Sequence, residues 1–383
     1  MPHSWGVFGV YRERWARGLS LSQLLFWTGF GAYYTYTRAY IEEARGQDYA
    51  FATVVAGAET APLVLSVVMG FLADYLGRRK LVLLGLGEAI AVAAMGVVEL
   101  SLVPVLVAVG GVFYSIAYSA LLGAILAGVR GSGTAYSVIA AAGSIGWALG
   151  GLLGGYSFGY GPVVAYGASA FMIAAGYLAG YAYVTEELEP ESRPSPSEVL
   201  EASRRILLVV ASIVLGQAAL NIFFTSASLK LKAEIGDPLL FGLVFSTATA
   251  ILGALARPLA GLASDKLGEV RLLAVTAIAY ALLGYAVATL RGYLLIAVWL
   301  IPLFPFRDVA VSMSVSSRLP GKLQATAAGI ISFATSTSGL IALTLAPLIK
   351  GRTIIEVYAI CATLLVASAA LLGPQLAKRE KSD

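Results

Sequence analysis

The sequence predicts an all-α integral membrane protein of twelve transmembrane helices, arranged as two pseudo-symmetric six-helix bundles. Three observations carry that prediction. Of the 383 residues, 58% are hydrophobic and 13% charged, and the mean hydropathy is +0.82, beyond the balance of a soluble domain. Apolar stretches near the ~20 residues that a helix needs to cross a bilayer recur from residue 18 onward. One loop sequence also occurs twice, around Asp74 and around Asp265, each time between the end of one apolar span and the start of the next.

The spans fall at 18–41, 50–73, 80–100, 102–127, 134–157 and 163–184 in the first half. In the second half they fall at 205–229, 238–263, 270–290, 293–317, 323–349 and 353–376. Barrel strands would alternate apolar and polar residues, whereas Leu81 to Leu86 is apolar throughout and Leu364 to Leu372 is interrupted only by Ser368. Closed helices must therefore satisfy the backbone in lipid. The first span is long, follows Arg12, Arg14 and Arg17 and lacks a small-residue cleavage site, so it reads as a retained helix. The polar stretch from Thr185 to Glu198 is rich in Pro, Ser and Glu and reads as a flexible linker. This places one bundle at 1–184, the linker at 185–204 and the second bundle at 205–383.

Lys and Arg distribution sets the orientation. One end of the bundle receives Arg12, Arg14, Arg17, Arg78, Arg79, Lys80, Arg130, Arg204, Arg205, Lys266, Arg271, Arg318, Lys322, Lys378, Arg379 and Lys381. The other receives only Arg45, Lys230, Lys232, Arg291, Lys350 and Arg352. The positive-inside rule makes the first end cytoplasmic, with both termini there and the chain multi-pass in the plasma membrane. The net charge of +4 follows from this asymmetry and gives no reason to invoke nucleic acid. The single cysteine, Cys361, excludes an internal disulfide and reads as an apolar filler; the single histidine, His3, lies on a tail and is no metal site. No cofactor is expected.

The first loop reads Gly70-Phe-Leu-Ala-Asp74-Tyr-Leu-Gly77-Arg78-Arg79-Lys80, and the second retains Gly261, Asp265 and Gly268 but has Glu269 and Val270 in place of the two arginines. This pattern resembles the signature of the major facilitator superfamily, and the resemblance covers essentially the whole chain. Gly70 lets another helix approach, Gly77 supports a tight turn, and Asp74 at a helix end suits the positive N-terminus of another helix. The resemblance implies that this helix is the eleventh, beginning near Gln324 and Ala325, and that the contact favours an outward-open state. In the fifth span, Gly146, Gly150 and Gly154 form a stripe of small residues, and Ala142 to Gly151 resembles the family's antiporter motif with Trp147 where a proline is expected; helix packing is the leading reading.

Ionisable groups at membrane depth cost roughly 2.5–3.5 kcal/mol each, so each needs a partner or a role. Asp308 leads the candidates for proton or cation coupling, with Ser312 and Ser316 following at four-residue steps; Glu59 is a second candidate and reads equally well as a neutral or Arg-paired structural residue. Arg307 is read as neutralising Asp308 or Glu59, or as binding an anionic substrate. Glu88 is expected to pair with Arg78 or Arg79. The resemblance implies that the first, fourth, seventh and tenth helices line a central cavity. That face offers Trp27, Tyr34 and Arg38, then Tyr114 and Tyr118, then Gln217, Asn221 and Phe224, then Ser312. Trp27 and Tyr40 read equally well as interfacial anchors. Aromatic walls with sparse hydrogen-bonding groups suit an amphipathic organic molecule.

The resulting expectation is a monomeric secondary active transporter of a small organic solute, working by alternating access, coupled to protons and leaning to export of amphipathic compounds. The alternatives are uptake or facilitated diffusion of an organic anion or a sugar, and, in a different class, a membrane enzyme or a non-transporting sensor. No Gly-x-x-x-x-Gly-Lys-Ser/Thr loop is visible, so energy would come from a gradient. An enzyme would need clustered nucleophiles, bases or metal ligands. A sensor would need an output domain larger than the linker or the tail from Lys378 to Asp383.

Overall fold

The computed structural model describes residues 9–45, 54–55, 58–236, 240, 243–349 and 352–379; His3, Lys350 and Lys381 lie outside them. The described residues are helical almost throughout and contain no strand. Helices α1 (Arg14–Arg45), α2 (Ala58–Leu76), α3 (Arg78–Val82 and Gly85–Met95), α4 (Val103–Val129), α5 (Gly133–Ser157) and α6 (Pro162–Tyr183) form the first bundle. The second holds α7 (Leu207–Ile235), α8 (Thr249–Leu267), α9 (Glu269–Thr289), α10 (Gly292–Trp299 and Phe304–Ser316), α11 (Gln324–Ile349) and α12 (Ile354–Ala370). Among the described residues, nine helical segments are long and apolar enough to cross a membrane, and α1, α3 and α11 complete the twelve.

The helix boundaries follow from local chemistry. Pro302 lies where α10 breaks between Trp299 and Phe304, because a residue without an amide hydrogen cannot continue the first segment. Pro305 sits in the first turn of the second segment, where a missing N–H costs little. Ser132 caps α5 by accepting from the Ala135 amide at 3.2 Å. Gly77 and Gly268, at φ 103° and 83°, make the same left-handed turn between α2 and α3 and between α8 and α9.

The α5 glycine stripe packs on α1. A Cβ on Gly146 or Gly150 would collide with the carbonyl oxygens of Leu24 or Thr28, and one on Gly154 would lie 2.7 Å from that of Ala32. Backbone therefore meets backbone along this seam, as helices in lipid use small residues to do.

The linker corrects the expectation of a flexible tether. It contains a short turn at Glu186–Leu188 and a helix at Pro196–Arg205, opened by a capping box between Ser195 and Glu198. Glu189 accepts from the amides of Arg78 (2.7 Å) and Arg79 (2.8 Å), capping the start of α3. Lys322, between α10 and α11, donates to Glu198 at 2.6 Å. Ordering comes from these charge-assisted contacts together with burial of Leu188 and Ala202 in the core, a few anchors that the polar composition of the stretch conceals.

Candidate functional site

Both copies of the duplicated loop close the same end of the molecule. The Asp74 carboxylate, fully buried, accepts from the amides of Ala325 (3.0 Å) and Thr326 (2.7 Å) and from the Thr326 hydroxyl (2.8 Å). It thus sits on the first turn of α11, where unpaired amides and the helix dipole favour an anion. Arg78 Nε donates to the same carboxylate at 2.9 Å, while its Nη1 reaches Leu188 O (2.6 Å) and its Nη2 reaches Gly321 O (2.9 Å). One arginine thereby ties together the first bundle, the linker and the second bundle. Arg79 lies over the Tyr181 ring at 4.6 Å, and Lys80 is exposed.

The second copy makes the reciprocal bond. Asp265 accepts from the amides of Gly133 (2.6 Å) and Thr134 (3.0 Å) at the first turn of α5. A Cβ on Gly70 would lie 2.8 Å from the Ala325 carbonyl carbon, and one on Gly261 would lie 2.6 Å from Gly133 O, so each glycine is needed where its aspartate docks. The sequence reading named Gly261, Asp265 and Gly268 without their partner; Ser132 before an apolar run was the available signal, as a helix N-cap.

Inward from this closure is a cavity of about 820 Å³. Its walls carry Trp27, Phe30 and Tyr34 from α1, Tyr118 from α4, Tyr136 and Trp147 from α5, Phe224 from α7, Phe245 before α8, Tyr280 from α9, and Trp299 and Phe304 from α10. Its charged residues are Asp308 and Arg257, joined at 2.6 Å through Oδ2 and Nη1. Arg257 Nε also donates to Ser144 Oγ at 2.8 Å, bridging α8 to α5 across the two bundles.

Of the residues selected from sequence, Tyr34, Tyr118, Phe224 and Asp308 line this cavity. Trp27 does too, bonded through its indole N–H to Gln23 at 2.9 Å, which corrects its reading as an interfacial anchor. Tyr114 stacks on Tyr118 at 5.1 Å but does not line the cavity. Gln217 donates to Asn221 at 3.5 Å and Asn221 donates to Ser338 at 3.3 Å, so this polar face of α7 points into its own bundle rather than the cavity.

Four further expectations are corrected. Ser312 is buried and donates to Tyr136 OH at 2.9 Å, and Ser316 donates to Gln324 at 2.6 Å, so the polar stripe below Asp308 is used in packing. Arg307 neutralises neither Asp308 nor Glu59: it is 2% exposed, lies against Gly216 and Ser368, and none of its guanidinium nitrogens has a partner among the described residues. The roughly 100° between successive helix positions turns it to a different face of α10. Arg257 of α8, which was not among the residues selected from sequence, takes its place beside Asp308. Glu59 is held by Arg38, whose Nη1 donates at 2.6 Å, and by the Tyr33 hydroxyl at 3.2 Å; the Arg38 guanidinium lies 3.7 Å from the Tyr34 ring centre, and neither Arg38 nor Glu59 lines the cavity. Glu88 accepts from Tyr177 OH at 2.6 Å inside the first bundle, while Arg78 is committed to Asp74.

Two six-helix bundles around a central cavity, closed at one end by matched loops, define a membrane transporter. The family model of the Major Facilitator Superfamily matches residues 19–343, and the chain belongs to that superfamily. Among solved structures, the human organic anion transporter MFSD10 (TETRAN) superposes with a TM-score of 0.74 at 15% identity, covering 93% of this chain and 98% of that one. A bacterial homologue of the iron transporter ferroportin in the outward-facing state gives 0.71 at 14% identity, over 94% and 98% of the two chains. The E. coli fucose:proton symporter FucP gives 0.64 at 13% identity, over 92% and 97%. These likenesses establish the fold, and membership of the superfamily gives transport rather than enzymatic chemistry as its activity. No curated protein matches the sequence at a significant level.

Proposed function

We propose that this chain is a proton-coupled secondary transporter that moves an amphipathic organic solute by rocking one bundle against the other, with export the favoured direction. The observation that carries this reading is the aromatic cavity holding an ion pair, Arg257 with Asp308, inside an end sealed by Asp74 and Asp265. A carboxylate at membrane depth, half-committed to one arginine, exchanges a proton for a change in its partner's bonding. Because Arg257 also holds Ser144 on the other bundle, protonation of Asp308 weakens a contact that spans the two halves. Glu59, held on both oxygens by Arg38, serves as structure at the mouth. The basic end is taken as cytoplasmic in the plasma membrane, which, with that end sealed, makes this the outward-facing state.

A second reading, uptake of an organic anion, draws on the guanidinium of Arg257 in the cavity wall. Sealed proteoliposomes with an internal pH dye separate the two when challenged with lipophilic cations, organic anions and sugars. Proton movement that depends on an amphipathic solute and disappears in Asp308→Asn but survives in Glu59→Gln supports the proposal. Unchanged solute-driven proton flux in Asp308→Asn overturns the coupling assignment, and solute crossing only down its own gradient makes the protein a facilitator.

A further inference from the structure

We infer that the solute is a lipophilic organic monocation, whose charge sits on the free oxygen of Asp308 in exchange for a proton. The inference rests on the transport reading above and adds the sign of the solute's charge. Among the described residues, Asp308 is bonded once, through Oδ2 to Arg257; Oδ1 has no partner. The aspartate side chain is 28% exposed and that of Arg257 only 7%, so the pair presents its negative member to the lumen. Arg257 is occupied on two sides, with Nε on Ser144 and Nη1 on Asp308, and its guanidinium lies 5.9 Å from the Phe304 ring centre. An anion approaching Arg257, whose side chain is only 7% exposed, would have to settle beside the more exposed Asp308 carboxylate and against its charge. A cation need only approach an oxygen that is already free.

The walls agree in sign. Aromatic faces carry negative potential and attract cations, and Trp, the best of them, lines the cavity at Trp27, Trp147 and Trp299. The other groups that face Asp308 electrostatically are the phenols Tyr118 from α4, Tyr136 from α5 and Tyr280 from α9, neutral donors that neither repel a cation nor replace the carboxylate. Arg307, next in sequence, is turned toward Gly216 of α7 within its own bundle and, among the described residues, shares only Tyr280 with Asp308 as an electrostatic neighbour. A cation and a proton then compete for one oxygen pair, which is the arithmetic of exchange.

The test uses two probes of nearly one shape and opposite charge, tetraphenylphosphonium and tetraphenylborate, with the full chain in lipid nanodiscs and the quenching of cavity tryptophans as readout. The phosphonium is expected to quench saturably, with Kd rising about tenfold per pH unit once Asp308 is protonated, and the borate not to saturate. Asp308→Asn should weaken the phosphonium at least tenfold and abolish its pH dependence, while Asp308→Glu, which keeps the charge, should retain both. Tighter binding of the borate, or phosphonium binding equal in wild type and Asp308→Asn, overturns the inference. Should Asp308→Asn fail to fold, the probe pair and the pH series on the wild type decide alone. Saturable phosphonium binding without any movement across proteoliposomes would sink the transport reading and leave this one standing; solute-driven proton flux with no phosphonium binding would do the reverse.

Discussion

Asp265 does for α5 what Asp74 does for α11: each carboxylate takes two backbone amides from the first turn of a helix in the opposite bundle. The two clasps differ in one respect. Asp74 also carries the fully buried Arg78, whereas the loop after Asp265 has no arginine in the matching place. Asp74→Asn therefore leaves a buried guanidinium without its counter-charge, a loss of about 3–5 kcal/mol. Asp265→Asn loses charge-assisted bonds alone, about 1.5–3 kcal/mol. Alkylation of a Thr134→Cys reporter, buried in the closed seam, should accelerate in both variants and more steeply in Asp74→Asn. Equal acceleration would mean that Arg78 is not part of the clasp's energetics.

The two neighbouring charges of α10 and α8 should respond to removal in opposite directions. Among the described residues Arg307 has no hydrogen-bond partner for any guanidinium nitrogen, and it is buried, so Arg307→Met exchanges an uncompensated charge for a side chain of similar reach. A gain of about 1–4 kcal/mol is expected, read as a higher melting temperature in micelles. Arg257→Met instead strands Asp308 and frees Ser144, and should lower the melting temperature; because the carboxylate is partly exposed, the loss is about 1–3 kcal/mol rather than that of a fully buried pair. Removing both charges, as Arg257→Met with Asp308→Leu, should recover most of it.

The architecture was legible in the sequence because bilayer length and backbone satisfaction leave few solutions. The clasp at Asp74 was legible through the family resemblance, which implied the start of the eleventh helix near Gln324 and Ala325 as its partner. The ion pair in the cavity was not. Adjacent charges such as Arg307 and Asp308 suggest a pair, yet helix geometry sends them to different faces, and the real partner, Arg257, comes from another helix and has no marker of depth beyond its apolar neighbours. The polar face of α7 misled for the same reason: Gln217 and Asn221 satisfy each other and Ser338, which sequence spacing cannot distinguish from a lining.

Glycines of α5 divide into those that touch α1 and those that do not. A side chain on Gly150 would meet the Thr28 carbonyl, while among the described residues nothing lies within 4 Å of a Cβ on Gly155. Gly150→Ala should cost about 1–3 kcal/mol through backbone displacement. Gly155→Ala should be neutral or stabilising by up to about 1 kcal/mol, through helix propensity. Thermal melts of the two variants in the same micelles give the comparison, and an equal loss in both would show that the stripe is not a packing face.

The linker makes the closed end sensitive to acid. Glu198 bonds Lys322 at 2.6 Å, and the lysine, followed by the Ser195 amide, holds its carboxyl below the usual carboxylate range. A carboxyl whose value is lowered in the folded state contributes stability at pH above its unfolded value and loses that contribution as pH falls through the folded one. Linker docking should therefore be constant near neutrality and weaken a few-fold on acidification through the carboxylate range. Limited proteolysis between Glu189 and Arg205 across that range should show faster cleavage in wild type at low pH. Glu198→Gln should cleave at a faster rate that no longer follows this group's titration. If the variant keeps the wild-type pH dependence, the bond between Glu198 and Lys322 is not what fastens the linker to the second bundle.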